Sequence, residues 1–206
     1  WLDQLQHDDN VVARKEAIDY FSRRVRAGGR VADVACEALL AVAAQDFPGL
    51  QLFDSVDAFL KESDANVVAI ITPHDTHAEL GLRCLESGKH VVMEKPMAIS
   101  GAECDALIEA AARRNLLVTT FHNRHWDGGI LRARELVGEQ GVIGDVFRVD
   151  LNVGSRGQIP DWWRASNRIS GGALYDWGVH LLEYTFQVVR GRPIEVSAYR
   201  HHGYWK

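Results

Sequence analysis

Cysteine is scarce in this chain. Three occur in 206 residues, Cys36, Cys84 and Cys104, odd in number and far apart. That spacing excludes a disulfide framework or a zinc knuckle and reads as the reduced, half-buried thiols of a cytoplasmic protein. No apolar run approaches the ~20 residues that a membrane-spanning helix needs. The opening stretch "WLDQLQHDDN" is polar and acidic, so no signal-peptide pattern stands there. Blocks of lysine and arginine are also missing, and the formal net charge is -5. This argues against nucleic acid or an anionic membrane as a partner. No repeat or low-complexity tract is visible. What is present, 47% hydrophobic and 25% charged residues, suits one large globular domain or two small ones.

Hydrophobic spacing predicts a helix over 11–28, ended by Gly28-Gly29, then a short strand in "RVADVAC" and a helix in "ALLAVAAQDF". "VDAFLKES" is a short helix. "NVVAIITP" (66–73) is continuous and β-branched, as expected of a strand buried on both faces. Residues 76–88 form an amphipathic helix with Thr76 as candidate cap and Gly88 as its stop. "KHVVMEKP" is the next strand. Ser100 and Glu103 then form a capping box before "GAECDALIEAAARRN", and "LLVTTFHN" is a further strand. Strands and helices alternating across short turns mean βαβ units and a parallel sheet. The loops "TPHDTH", "EKPMA" and "FHNRH" all follow strands. They should therefore open onto the carboxyl edge, where open α/β sheets bind ligands. After about residue 120 the rhythm changes. A helix in "GGILRARELVGEQG" precedes a long alternating strand, "GDVFRVDLNVGS". A helix of about twenty residues over 171–191 and a strand from Pro193 follow. Two strands and a helix do not close a second layer, so this domain reads as cut short, with exposed sheet edges that favour association of copies.

Two constellations carry chemistry. Asp176 and His180, four apart on a helix, share one face, where a carboxylate would orient an imidazole and raise its pKa. Leu174, Trp177, Leu181 and Leu182 surround the pair with apolar side chains, and Gly171-Gly172 thins the chain ahead of it. Without a ligand, the same spacing describes a surface pair worth a few tenths of a kcal/mol. Lys95 stands at a strand's carboxyl end, where a lysine either donates to a substrate hydroxyl or snorkels to solvent. Glu94 points to the opposite face, and Pro96 stiffens the turn. His122 and His125 have a metal-compatible spacing but no obvious third ligand, so no metal is assigned. His74 and His77 flank a ligand-edge loop, the pair His201-His202 reads as a polar strand end, and the tryptophans of "DWWR" anchor a loop or stack on a sugar.

On these residues the sequence resembles the glucose–fructose oxidoreductase/inositol dehydrogenase/MocA (Gfo/Idh/MocA) family of NAD(P)-dependent oxidoreductases. The likeness runs from about residue 30 onward. It is clearest in Glu94-Lys95-Pro96, in Asp176 and His180 on the helix, and in the "TPxxxH" stretch. The resemblance implies a Rossmann-like dinucleotide-binding domain over 1–120 that lacks its first strand and glycine loop. After it would come a truncated α+β substrate and oligomerisation domain over 121–206, with a mainly antiparallel sheet. It implies catalytic roles for Lys95, Asp176 and His180. NAD or NADP would be bordered by Thr72, Pro73, His77, Glu94, Lys95 and Asn123, with Glu37 at the ribose. Lys95, Arg124, Arg164, Asp176 and His180 would hold a sugar or polyol. The reaction implied is hydride transfer from a secondary hydroxyl, in a homo-oligomer built through the second sheet. No G-x-G-x-x-G stands in the sequence. Two other readings therefore stay open: a sugar-binding member that has lost its dinucleotide, and a lyase or hydrolase working through transient oxidation.

Overall fold

The computed structural model describes residues 39–154, 163–189 and 191–199. The helix expected at 11–28, the strand at 30–36, Glu37, Asp161-Trp162 and His201-His202 lie outside the described residues. The described elements, in order, are α1 (residues 39–46) and α2 (Val56–Glu62), then β1 (Val67–Ile70), α3 (His77–Glu86), β2 (His90–Glu94), α4 (Gly101–Arg114) and β3 (Val118–Phe121). They continue with α5 (Gly128–Arg134), α6 (Asn167–Ser170) and α7 (Val179–Val188). β1, β2 and β3 lie side by side in that order, and β2 runs parallel to β3 with Val91 opposite Val118 and Glu94 opposite Phe121. This is the Rossmann-like sheet that the alternating pattern predicts. Among the described residues no helix is long and apolar enough to cross a membrane.

The chain packs as two compact units. One holds the described residues up to Val68 together with Arg83–His90; the other holds Ala69–Leu82 and the residues from Val91 onward. In the first unit Ser55 caps α2, its Oγ accepting from the Ala58 amide at 3.2 Å. Lys89 is buried there, and its ammonium donates to the carbonyls of Ser63 and Ala65 at 2.9 and 2.8 Å. Gly88, at φ +80°, ends α3 in a Schellman turn: its amide donates to Leu85 and that of Lys89 to Cys84.

In the second unit Val91 and Met93, two apart on β2, are both buried, and Met93 meets Leu107 of α4 at the position of Gly81 on α3. Ser100 caps α4 by accepting from Glu103, whose carboxylate reaches back to the amide of Ile99, one residue before the expected cap amide. Asn115, in the left-handed region at φ +53°, ends that helix.

Two expectations fail here. β1 is not buried on both faces: Val67 is 57% exposed, and Ile71 just beyond it 77%. β3 likewise alternates, leaving Phe121 half exposed. The strand residues are β-branched enough for a two-sided core, but the described helices α3 and α4 pack on the face that carries Val91 and Met93. The mainly antiparallel sheet of the second domain is also not formed among the described residues. Residues 146–154 and 192–199 run without strand pairing, and Phe147, Ile194 and Tyr199 are almost fully exposed. Alternation gives a strand its two faces, but only a hydrogen-bonded neighbour makes it a strand.

Candidate active site

The segment that follows β2 answers what Lys95 does. Its side chain is only 11% exposed, so it does not snorkel out of the strand end. The ammonium donates to Asp176 twice, to Oδ1 at 2.6 Å and to the backbone carbonyl at 2.7 Å. Glu94 turns back on the chain, accepting from the Lys95 amide at 2.9 Å. The Lys95–Pro96 peptide is cis.

Asp176 sits in a π-helical turn, Leu174–Gly178, that leads into α7; such widened turns recur at functional sites. Gly172 lies at φ +89° ahead of it, with a Cβ position 2.7 Å from Asn167 Oδ1. Its carbonyl accepts the Asp176 amide. The close approach that the paired glycines allow is thus to their own chain. Arg164 Nε stands 3.4 Å from the same Asp176 oxygen, and its guanidinium lies over the Trp163 ring at 4.5 Å. Burial alone would push the Asp176 carboxyl up. The Lys95 hydrogen bond and the charges of Lys95 and Arg164 outweigh it and hold the group below its ordinary range.

His180 departs from its expectation. Asp176, shared with Lys95, pulls the His180 pKa upward, but by less than its surroundings pull it down. Burial, and then the charges of Lys95, His122 and Arg124, lower the His180 pKa to about 4, leaving the ring neutral near pH 7. The ring is buried, and its Nδ1 has no hydrogen-bond partner. The apolar shield expected around the pair is thin: Leu174 is 67% exposed and Leu182 53%.

His77, expected to border the cofactor, and His74 hold the loops in place. His77 is fully buried, with Nδ1 2.8 Å from the Pro96 carbonyl and Nε2 3.0 Å from that of Thr72. It fastens the loop after β1 to the loop that carries Lys95, and its ring has no edge left for a ligand. His74 Nδ1 donates to the Ser170 carbonyl at 2.8 Å, joining the first of these loops to the turn before Asp176. The "TPxxxH" pattern marked the position of His77, but no sequence signal identified the two carbonyls beside its ring. Replacing His77 by leucine should leave at least one buried carbonyl unpaired and lower stability by about 1–3 kcal/mol. A lower urea midpoint at unchanged slope would be the reading; an unchanged midpoint refutes the brace.

The other predicted residues divide. Thr72 is exposed, its hydroxyl 2.6 Å from that of Thr76. Thr76 does not cap α3; its hydroxyl donates to the Pro73 carbonyl. Asn123 is exposed after β3. Arg124 is tied to Asp127 at 3.1 Å and lies over the Trp177 ring at 4.7 Å, and Tyr184 donates to the same Asp127 oxygen. His125 pairs with Glu183 through Nδ1. A cleft of about 410 Å³ opens beside the site, lined by Lys95, Pro96, Cys104, His122 and Tyr175 among others. The structure thus brings Lys95, Asp176, Arg164 and His180 into one neighbourhood. It leaves Glu94 and His77 engaged with the backbone.

Comparison with known proteins gives two matches along the chain. Residues 27–122 match a model described as an oxidoreductase family with an NAD-binding Rossmann fold, and residues 130–205 match the GFO/IDH/MocA C-terminal domain. The chain is 32% identical over 156 residues to scyllo-inositol 2-dehydrogenase (NADP(+)) IolW of Bacillus subtilis, covering 75% of this chain and 43% of that protein. It is 31% identical to the uncharacterized oxidoreductase YdgJ of Escherichia coli, over 74% of this chain and 44% of that one. Among solved structures, an NAD-binding protein from Listeria innocua superposes with a TM-score of 0.67 at 37% identity, over 75% of this chain and 43% of the other. The chain therefore spans less than half the length of these relatives.

Proposed function

Since the chain belongs to the Gfo/Idh/MocA family of NAD(P)-binding oxidoreductases, we propose that it carries the reacting end of a dehydrogenase site acting on a secondary hydroxyl of a sugar or polyol. The observation that carries this reading is the Lys95–Asp176 pair beside a buried, neutral His180. The lysine donates to the substrate oxygen and stabilises charge developing there. Asp176 holds the lysine in place through two acceptors. His180 takes the hydroxyl proton as general base and returns it in the reverse direction. Arg164, on the Trp163 ring, and Arg124, on the Trp177 ring, present guanidinium groups to the oxygens of a polyol.

The residues present fit a nicotinamide cofactor. A buried imidazole without a partner and a fixed ammonium stand at the carboxyl edge of a parallel sheet, where dinucleotides lie in open α/β folds. Bound NAD or NADP would supply the hydride acceptor. Thr72, Pro73, Glu94 and Asn123 would border it, Glu37 would meet its ribose, and His77 would shape its loop without touching it. The domain division at residues 120 and 121, and homo-oligomers formed through the second domain, belong to the same reading. The polyol class draws support from IolW, named for its action on scyllo-inositol with NADP(+).

Titration with NADH and NADPH, followed by nicotinamide fluorescence, tests the proposal. Saturable binding of one or both, with reduction of NAD(P) in the presence of inositols or aldoses, is the expected result. Absence of binding by the chain and by any longer protein that contains it would overturn the dehydrogenase reading. It would favour the sugar-binding one.

A further inference from the structure

His122 has no part in the chemistry described so far, yet its surroundings are those of a working group. Its ring meets that of His180 edge to face, with centroids 5.0 Å apart. The Nδ1 atoms of both rings are buried without a hydrogen-bond partner. Buried imidazole nitrogens are ordinarily satisfied, so two unsatisfied ones in touching rings call for an explanation. The two histidines also differ in access. His180 is 3% exposed, whereas His122 is half-buried and lines the open cleft with Lys95, Thr120 and Glu183. A base buried this deeply that takes a proton in each turnover must pass it on before the next.

We infer that His122 is a positioning and relay residue for His180, the two rings forming one imidazole pair through which protons pass between the buried site and the cleft. The inference rests on the dehydrogenase reading for its catalytic consequence. In oxidation, the substrate O–H bond would break with its proton going to a His180 ring nitrogen, while the carbinol C–H would leave as hydride to the nicotinamide cofactor that the site would hold, giving the carbonyl. Protonated His180 then gives a proton to neutral His122, directly or across one water. His122 releases it to solvent in the cleft, and both rings end neutral. The groups facing His180 favour this direction. Lys95 at the end of β2 and Arg124 after β3 are both cationic and disfavour a retained proton, while the carboxylates that act on the ring, Asp176 and Asp127, are held by Lys95 and Arg124. No charged partner holds the His122 Nδ1.

The test uses His122→Phe, which keeps a ring against His180 and removes the nitrogens, together with His122→Gln. Two readouts are taken. By NMR, the His180 ring should titrate at higher pH in His122→Phe than in the parent protein, because the electrostatic contribution by which His122 lowers it is gone. By kinetics, kcat for oxidation should fall about tenfold or more with KM nearly unchanged, and added imidazole should restore part of it. An unmoved His180 titration overturns the pair. A moved titration with unchanged kcat, or a loss that imidazole does not restore, overturns the relay. If neither the chain nor any longer protein that contains it binds NADH or NADPH but the His180 titration moves, the dehydrogenase reading fails while the coupled pair stands.

Discussion

Replacing Lys95 by methionine should lower turnover by about two to four orders of magnitude, the range associated with removing a positioned proton-transfer or hydrogen-bonding group. Methionine keeps the length and apolar character of the stem, so the change removes chiefly the ammonium. Two hydrogen bonds go with it, at 2.6 and 2.7 Å to Asp176. What is left is a carboxylate only 19% exposed, with Arg164 at 3.4 Å as its remaining cation. Burial, now less opposed, should then raise the Asp176 pKa toward or above its ordinary value. The variant therefore makes two checks on one structure. Steady-state rates should collapse while cofactor affinity and far-UV circular dichroism stay near those of the parent protein. The Asp176 carboxyl should titrate at higher pH by NMR. Unchanged turnover would remove Lys95 from the chemistry, and an unmoved Asp176 would show that the pair is not coupled.

His180→Ala should produce a loss of similar size in kcat, since it removes the buried neutral imidazole proposed as the base. The parent enzyme should also show the corresponding pH profile. With the pKa lowered to about 4, the base form of His180 is fully present at neutral pH. kcat/KM for oxidation should hold steady on moving from pH 7 to pH 5 and fall only as pH drops through about 4. A limb near the ordinary histidine value of about 6.5 would contradict the burial that the structure gives this ring. The same shift predicts a stability effect of definite sign. Between about pH 6.5 and 4 the unfolded chain binds a proton at this position that the folded chain refuses. His180 thus contributes full stability above about pH 6.5, and that contribution is lost as pH falls toward 4. Urea midpoints measured across that interval should fall less steeply in His180→Ala than in the parent protein. Parallel slopes would refute the assignment.

Much of the site was legible before any coordinates. Alternating strands and helices with short turns dictate a parallel sheet, and parallel sheets gather their post-strand loops at one edge. Lys95 and the loop of Thr72 and Pro73 were therefore placed together by pattern alone. The caps and stops were equally local. Ser100 and Gly88 act through backbone groups within a few residues, so the sequence holds all the information that they need, although Thr76, expected to cap α3, does not. The family likeness supplied the link between Lys95 and the Asp176–His180 helix across some eighty residues.

Tertiary structure alone decided the pairing inside that set. Spacing put Asp176 beside His180 on a helix face, and the fold gave Asp176 to Lys95, because a buried carboxylate goes to the strongest donor within reach. The fold also set the sign of the His180 shift, since burial and then Lys95, His122 and Arg124 lower the pKa by more than Asp176 raises it. His77 shows the limit of sequence pattern most plainly. A histidine at a ligand edge reads as a ligand contact, and only the positions of the Thr72 and Pro96 carbonyls, brought together from two separate strands, make it a brace. The second domain shows the converse. Residues 146–154 and 192–199 have the alternation of strands, but alternation is a property of one segment and pairing a property of two. The sequence by itself determined the sheet, its helices, their ends and the residue types at the ligand edge. The partners of each charged and imidazole group were left to the fold, because they depend on distances between segments that are far apart in the chain.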